Sequence, residues 1–173
     1  MLTHLQVRSF KALTKAVIPL RPLTALIGPN GAGKSTILQA IDLMGALVRS
    51  TLPEHLEANE WEYADLPHLR AAHSEIELVA HLQFDSSRVT WLIRLGALRH
   101  ARIVRELVIE RWGEKESRTL LTREGRWMQR LDETTNEDES IEQTLTSSWL
   151  SALDPREDVK RFPTLLKVAQ WAR

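Results

Sequence analysis

The sequence contains no cysteine. That excludes a disulfide framework, a thiolate-bound zinc and a thiol nucleophile. Aromatic residues other than tryptophan are few: three Phe and one Tyr stand beside six Trp in 173 residues. The Trp are scattered, with no spacing that marks a base-stacking platform. Neither sign of charge is in excess, with 23 Lys and Arg against 23 Asp and Glu. Net charge therefore gives no reason to expect nucleic acid or a membrane as partner, and only a local patch could do so. Long hydrophobic runs are missing as well. The most apolar helix-length stretch, ILQAIDLMGALV (37–48), carries Gln39 and Asp42 and is too short to cross a bilayer. The N-terminus MLTHLQVRSFKALTK lacks the apolar centre of a secretory signal. A cytoplasmic protein with no membrane partner is the expectation.

Apolar residues make up 43% of the chain, enough for a real core, and the length suits one domain or a large piece of one. Residues 2–9 alternate about Leu5 and Val7, as a half-buried strand does. A second strand is expected over Ala16–Leu20. Leu23–Ile27, apolar and bounded by Pro22 and Gly28, predicts a buried central strand. From Ser35 the period changes. Ile37, Ile41, Met44 and Val48 fall on one face of a helix that runs to about Ser50 and stops before Pro53.

Residues 1–52 thus form a strand–loop–helix core, and residues 53–74 a polar connection with two prolines and at most a short helix. Residues 75–131 predict an antiparallel β unit. IELVAHLQF and RVTWLIRL flank a turn at DSS, and a second hairpin turns at REG (123–125). Between them RIVRELVIERW (102–112) fits a helical spacing nearly as well as an alternating one; its β-branched residues and Gly113 favour a strand. Residues 132–173 read as an acidic loop followed by the start of a helical segment. The block 132–142 holds six acidic side chains and no basic one, and the helical pattern restarts through Leu165, Leu166, Val168 and Ala169.

Gly28-Pro29-Asn30-Gly31-Ala32-Gly33-Lys34-Ser35 matches G-x-x-x-x-G-K-[ST], the Walker A phosphate-binding loop. Phosphates held by successive backbone N–H groups need a concave turn with unusual φ/ψ. Gly28, Gly31 and Gly33 supply that freedom, and they lack the Cβ that would block close approach. The following helix adds its unpaired N–H groups and the positive end of its dipole. Lys34 is a mobile point charge suited to bridging β- and γ-oxygens and to stabilising charge as the γ-phosphoryl leaves, which makes it the candidate catalytic residue. The Ser35 hydroxyl is small enough to ligate Mg²⁺, and Thr36 can reach the α-phosphate. The competing reading is a Gly-rich turn that precedes a helix by chance. The apolar run before the loop and the amphipathic run after it are the two contexts that favour the phosphate loop. ATP and Mg²⁺ are the expected cofactors.

Asn30 within GPNGAGKST is the form typical of ABC-type ATPases. The lead-in LTHLQVRSFKALTKAVIPLRPLTALIGPNGAGKSTILQAIDLM resembles the start of the RecF, SMC and OLD-like ATPases, with an F-K element at Phe10-Lys11, a PLT strand, the loop and an ILQAI helix. The resemblance covers about residues 2–50 strongly and 75–131 more loosely. SSWLSALDPREDVKRFPTLLKVA is also faintly similar to the stretch after the β unit in this group. It implies an α/β P-loop NTPase fold, an ABC-ATPase-like N-terminal lobe with a mixed sheet around the loop plus the antiparallel β unit. It further implies two heads that sandwich two nucleotides, hence a homodimer, with hydrolysis serving DNA repair, chromosome maintenance or anti-phage defence. DNA and an effector nuclease or toxin, as subunit or domain, are partners that the resemblance allows.

In this group the opposite head contributes an LSGG-like signature, and a Walker B strand supplies the acidic residues. Neither is visible here. Glu110 follows an apolar run but precedes Arg111 and lies in the β unit. Where the group's Q-loop glutamine is expected stands Ala152, with Gln143 a weaker candidate. The expectation is an N-terminal lobe without the rest of the head, as fragment or split subunit. Two alternatives stay open. A transporter ATPase subunit would normally precede the loop with a Gly-Glu turn, whereas IPLRPLT stands here; a nucleotide-binding switch with negligible hydrolysis would suit the missing carboxylates. Arg94, Arg99, Arg102, Arg105 and Arg111 with His100 form a strip that could follow DNA phosphates, although Glu106 and Glu110 favour a balanced sheet face. Phe10 could lie against adenine, but a place in the core is the favoured reading. Six His show no metal-ligand spacing.

Overall fold

The computed structural model describes residues 1–71, 75–97, 102–113 and 116–173. Alternation builds its sheet. In Leu2–Phe10 (β1), Leu5 and Val7 are buried while His4 and Arg8 are exposed. A turn with Lys11 at φ 47° reverses the chain into Leu13–Pro19 (β2), which pairs antiparallel with β1. The other edge of β1 takes Ile76–Phe84 (β3), and Ser87–Leu95 (β4), Ile103–Trp112 (β5), Glu116–Glu124 (β6), Trp127–Asp132 (β7) and Glu137–Glu142 (β8) follow in order. The result is one eight-stranded sheet, in the order β2-β1-β3-β4-β5-β6-β7-β8, antiparallel at every pairing. Residues 102–112 accordingly resolve as strand.

Among the described residues three α-helices accompany the sheet: Lys34–Arg49 (α1), Leu52–Ala58 (α2) and Pro163–Ala172 (α3). Thr51 and Glu54 form a reciprocal capping box that starts α2. Leu43, Met44 and Leu47 of α1 and Leu165 and Val168 of α3 join Leu5, Leu78, Trp91 and Ile93 of the sheet in one core. Each such side chain, fully buried, contributes about 1.5–3 kcal/mol. Trp91 meets Trp171 of α3 edge to face at 6.4 Å. Arg49 Nη1 donates to the Ala172 carbonyl (2.9 Å), joining the ends of α1 and α3.

A buried polar cluster holds segment 145–149 to the sheet. Glu106, fully buried on β5, accepts hydrogen bonds from Trp91 Nε1 (3.0 Å), the Trp149 N–H (2.9 Å) and the Ser148 hydroxyl. Arg123, its register partner on β6, donates to the carbonyls of Ser147 (2.9 Å) and Leu145 (2.6 Å). Burial pushes the Glu106 carboxyl up and the Arg123 guanidinium down from their ordinary ranges.

Four expectations are corrected. The sheet around the loop is not mixed: β1 and β2 belong to the same antiparallel sheet as the strands of 75–131. Leu23–Ile27 forms no strand, with a bend at Leu23 and no regular structure after it, and Leu23 and Ile27 are 91% and 93% exposed. An apolar run becomes a central strand only between two neighbours, and β2 is the edge of this sheet. The acidic block contains strand β8. An edge strand tolerates charge, and Glu139 is met by Arg130 (2.7 Å) and by Arg161, while Ile141 packs on the core. Finally, the buried face of α1 is centred on Thr36, Ala40, Leu43 and Leu47, with Met44 and Val48 at its side; Ile37 and Ile41 are only partly buried.

The Arg161 cluster gives the fold an acid limit. Asp132 accepts from Arg161 Nε (2.7 Å) and from the N–H groups of Thr134 (2.9 Å) and Thr135 (3.2 Å). The Arg161 bond foremost holds Asp132 below its ordinary value of 3.8, and Arg130 does the same for Glu139 relative to 4.5. A depressed carboxylate contributes stability that is present above its unfolded value and lost as pH falls through its folded value. Thermal midpoints should therefore drop as the pH falls below about 4.5, and less steeply for Asp132→Asn. Equal acid slopes for the two proteins would contradict this account.

Candidate functional site

The candidate site lies between the exposed 23–27 segment and α1. Asn30 and Gly31 form a turn in which the Ala32 N–H donates to the Pro29 carbonyl (3.3 Å). Gly31 and Gly33 have φ 80° and 88°, both left-handed, and Gly33 is the N-cap of α1. A side chain at either position would be strained by roughly 1–2 kcal/mol. At Gly33 a Cβ would also stand 2.8 Å from Leu13 Cδ2, so the loop rests directly on the start of β2.

The helix start is open. Ile37 is the first residue of α1 to donate within the helix, to the Gly33 carbonyl (3.0 Å), and no side chain caps the N-terminus. The N–H groups of Lys34, Ser35 and Thr36 thus have no intrahelical acceptor, and the positive end of the helix dipole lies among them. Lys34 folds back over the loop: Nζ donates to the carbonyls of Gly28 (2.8 Å) and Pro29 (2.7 Å). An ammonium has three donors, so one remains for an outside oxygen. Gly28, Pro29, Asn30, Gly31, Ala32 and Ser35 are exposed, whereas Thr36 belongs to the buried face of α1. This donor set, which gathers N–H groups, a cation and the accessible Ser35 hydroxyl, fits a phosphate chain with its divalent cation.

Other sequence candidates lie elsewhere. Phe10 is fully buried in the core and offers no face to a base. Lys11 Nζ sits 3.0 Å from the Trp61 ring centroid, and burial lowers its pKa. Glu110 is held by Arg118 (2.8 Å) on the core side of the sheet, far from the role of a free base. Gln143 and Ala152 are exposed in the segments after β8. Of the arginine strip, Arg102 and Arg111 are exposed, while Arg94 and Arg105 meet acidic partners. Arg94 pairs with Glu77 (2.6 Å) and Glu75 (3.4 Å), and Arg105 with Glu124 (3.7 Å). Arg99 and His100 lie outside the described residues.

The sequence profile of the family described as AAA ATPase domain matches residues 1–162, and the chain belongs to that family. A 44-residue stretch is 61% identical to a protein named OLD nuclease from Thermus scotoductus. That stretch makes up 25% of this chain and only 8% of the relative, in keeping with the resemblance to RecF-, SMC- and OLD-like heads. Among the described residues no helix is long and apolar enough to cross a membrane.

Proposed function

We propose that the chain binds Mg²⁺-ATP through Gly28–Thr36 and hydrolyses it once a further lobe and a second, identical head complete the site. The observation that carries this reading is the left-handed turn at Gly31 and Gly33 with the Lys34 ammonium folded over it at an uncapped helix start. Membership of the AAA ATPase domain family makes ATP the favoured nucleotide. In this reading the main chain at 31–36 binds the phosphates, and Lys34 exchanges its loop carbonyls for phosphate oxygens and stabilises the leaving γ-phosphoryl. Ser35 holds the cation, which when bound neutralises charge on the phosphate oxygens. Thr36 would need its hydroxyl to reach past the core-facing side of α1 to touch the α-phosphate.

The exposed Leu23 and Ile27 support a further lobe, because an apolar run of this kind gains by taking strand neighbours. The biological setting is a cytoplasmic machine of DNA repair, chromosome maintenance or anti-phage defence, coupled to a nuclease or toxin. The name of the Thermus relative supports the nuclease coupling. The present 173 residues should bind a fluorescent ATP analogue yet release phosphate barely above background, because Glu110 is engaged by Arg118 and no carboxylate stands among the loop's own residues. Absence of nucleotide binding would refute the site. Sustained phosphate release by this chain alone would reveal a general base within it and refute the need for a further lobe.

A further inference from the structure

The segment after α2 reaches the turn between β1 and β2, where the backbone is strained. Ser9 and Lys11 are left-handed, at φ 56° and 47°, without being glycine. Such a conformation costs about 1–3 kcal/mol per residue and persists only where neighbours fix it. Residues 66–68 supply two of the bonds that fix it. The Lys11 N–H donates to the Leu66 carbonyl (2.7 Å), and the His68 N–H to the Ser9 carbonyl (3.0 Å). The same turn leads into Ala12 and Leu13, against which Gly33 of the phosphate loop rests. Whatever holds residues 66–68 in place therefore also steadies the support of that loop.

An aromatic ring with two basic neighbours ties these segments together. The Trp61 N–H donates to the Leu56 carbonyl of α2 (2.9 Å). The Lys11 ammonium lies 3.0 Å from the Trp61 ring centroid, and the His55 ring of α2 lies 5.7 Å from the same ring with the two planes at 83°. His55 is buried, at 6% exposure. The Asn59 amide donates to the His55 carbonyl (2.9 Å) and to Nδ1 (3.4 Å), so the neutral ring carries its proton on Nε2. That atom is buried and meets no partner among the described residues. A second proton would enter at Nδ1 and set two donors against each other. It would also bring a second cation to an indole that already holds Lys11. From α1, Asp42 and Arg49 face His55, but they pair with each other (3.2 Å). Burial foremost holds His55 below its ordinary value of 6.5; Asp42 opposes this, and Arg49 and Lys11 add to it. The dipole of the seven-residue α2 favours the cation and offsets part of the effect.

We propose that His55, Trp61 and Lys11 form an acid-sensitive latch: neutral His55 keeps α2 and residues 61–68 closed on the 9–11 turn, and its protonation releases them. A depressed histidine contributes stability that is present above its unfolded value and lost as pH falls through its folded value. The latch therefore opens below about 6.5, above the acid limit set by Asp132 and Glu139. The test is amide hydrogen exchange of the full chain at about pH 7.5 and about pH 5.5, corrected for the intrinsic pH dependence of exchange. Protection in α2 and at the Lys11 and His68 amides should fall by about tenfold at the lower pH, relative to that of β3 and β4. His55→Phe keeps an aromatic ring beside Trp61 and takes up no proton, so it should abolish the fall; His55→Leu should do the same without a ring. His81→Gln removes another histidine that burial holds low, on β3, and should leave the fall in α2 intact. The consequence for the loop rests on the nucleotide reading and is measured separately. Affinity for a fluorescent ATP analogue should drop over the same pH step more in the wild type than in His55→Phe. Unchanged protection at the lower pH would overturn the latch, as would an equal fall in the folded His55 variants. A loss of protection without any difference in analogue affinity between these proteins would overturn its link to the loop. Absence of analogue binding at both pH values would count against the loop assignment instead, and the exchange result would still decide the latch.

Discussion

Lys34→Ala is expected to abolish nucleotide binding while leaving the fold intact. Among the described residues the side chain makes polar contacts only with the Gly28 and Pro29 carbonyls of its own loop, so its removal strands no buried partner in the core. What it takes away is a mobile cation at the open N-terminus of α1. Charge-assisted hydrogen bonds contribute about 1.5–3 kcal/mol each, so the loss of one or two weakens a phosphate ligand on the order of 100-fold or more. Titration with a fluorescent ATP analogue measures this, and the circular dichroism melt should match the wild type. Binding within a few-fold of wild type would place the phosphates elsewhere.

Glu106→Ala should be the most damaging single change to stability. It strands the Trp91 indole N–H, the Ser148 hydroxyl and the Trp149 N–H, and leaves Arg123 buried at 3% exposure without its register partner. Each buried donor left unsatisfied costs about 1–3 kcal/mol, so the three stranded donors take a large share of the roughly 5–15 kcal/mol that holds a domain folded. Glu106→Gln keeps an acceptor for part of the cluster and should lose less. Urea unfolding reads both. A cost below about 1 kcal/mol for the alanine variant would mean that water or a rearranged Arg123 satisfies the cluster.

The local chemistry of this chain is largely legible in its sequence. The turn at residues 30–33 follows from glycines that tolerate positive φ, and α1 from a 3.6-residue apolar period that ends near Pro53. The hairpins of β3 with β4 and β6 with β7 follow from alternation and short polar turns. The apolar pattern sets the face of α1 one residue askew. Ile37 and Ile41 are the larger side chains, but Thr36, Ala40 and Leu43 are the ones that sit against the sheet. The cluster of Glu106 and Arg123 is invisible in the sequence, since an alternating pattern does not say which distant groups an inward-facing charge will meet. Arg88 carries no signal of its own, because its register partner on the next strand, Arg111, lies 23 positions away.

Alone, the order of residues determined what depends on near neighbours: the loop conformation, the helix and strand periods, and the group of ATPases that the loop and its lead-in resemble. Only the tertiary structure decided the rest. It made one antiparallel sheet of strands expected in two units, turned an acidic block into an edge strand by supplying Arg130 and Arg161, and left Leu23–Ile27 bare. The physical reason is common to all three. Burial and charge compensation are properties of contacts between distant segments, and a segment's own composition states what it can offer such a contact but not whether the partner arrives.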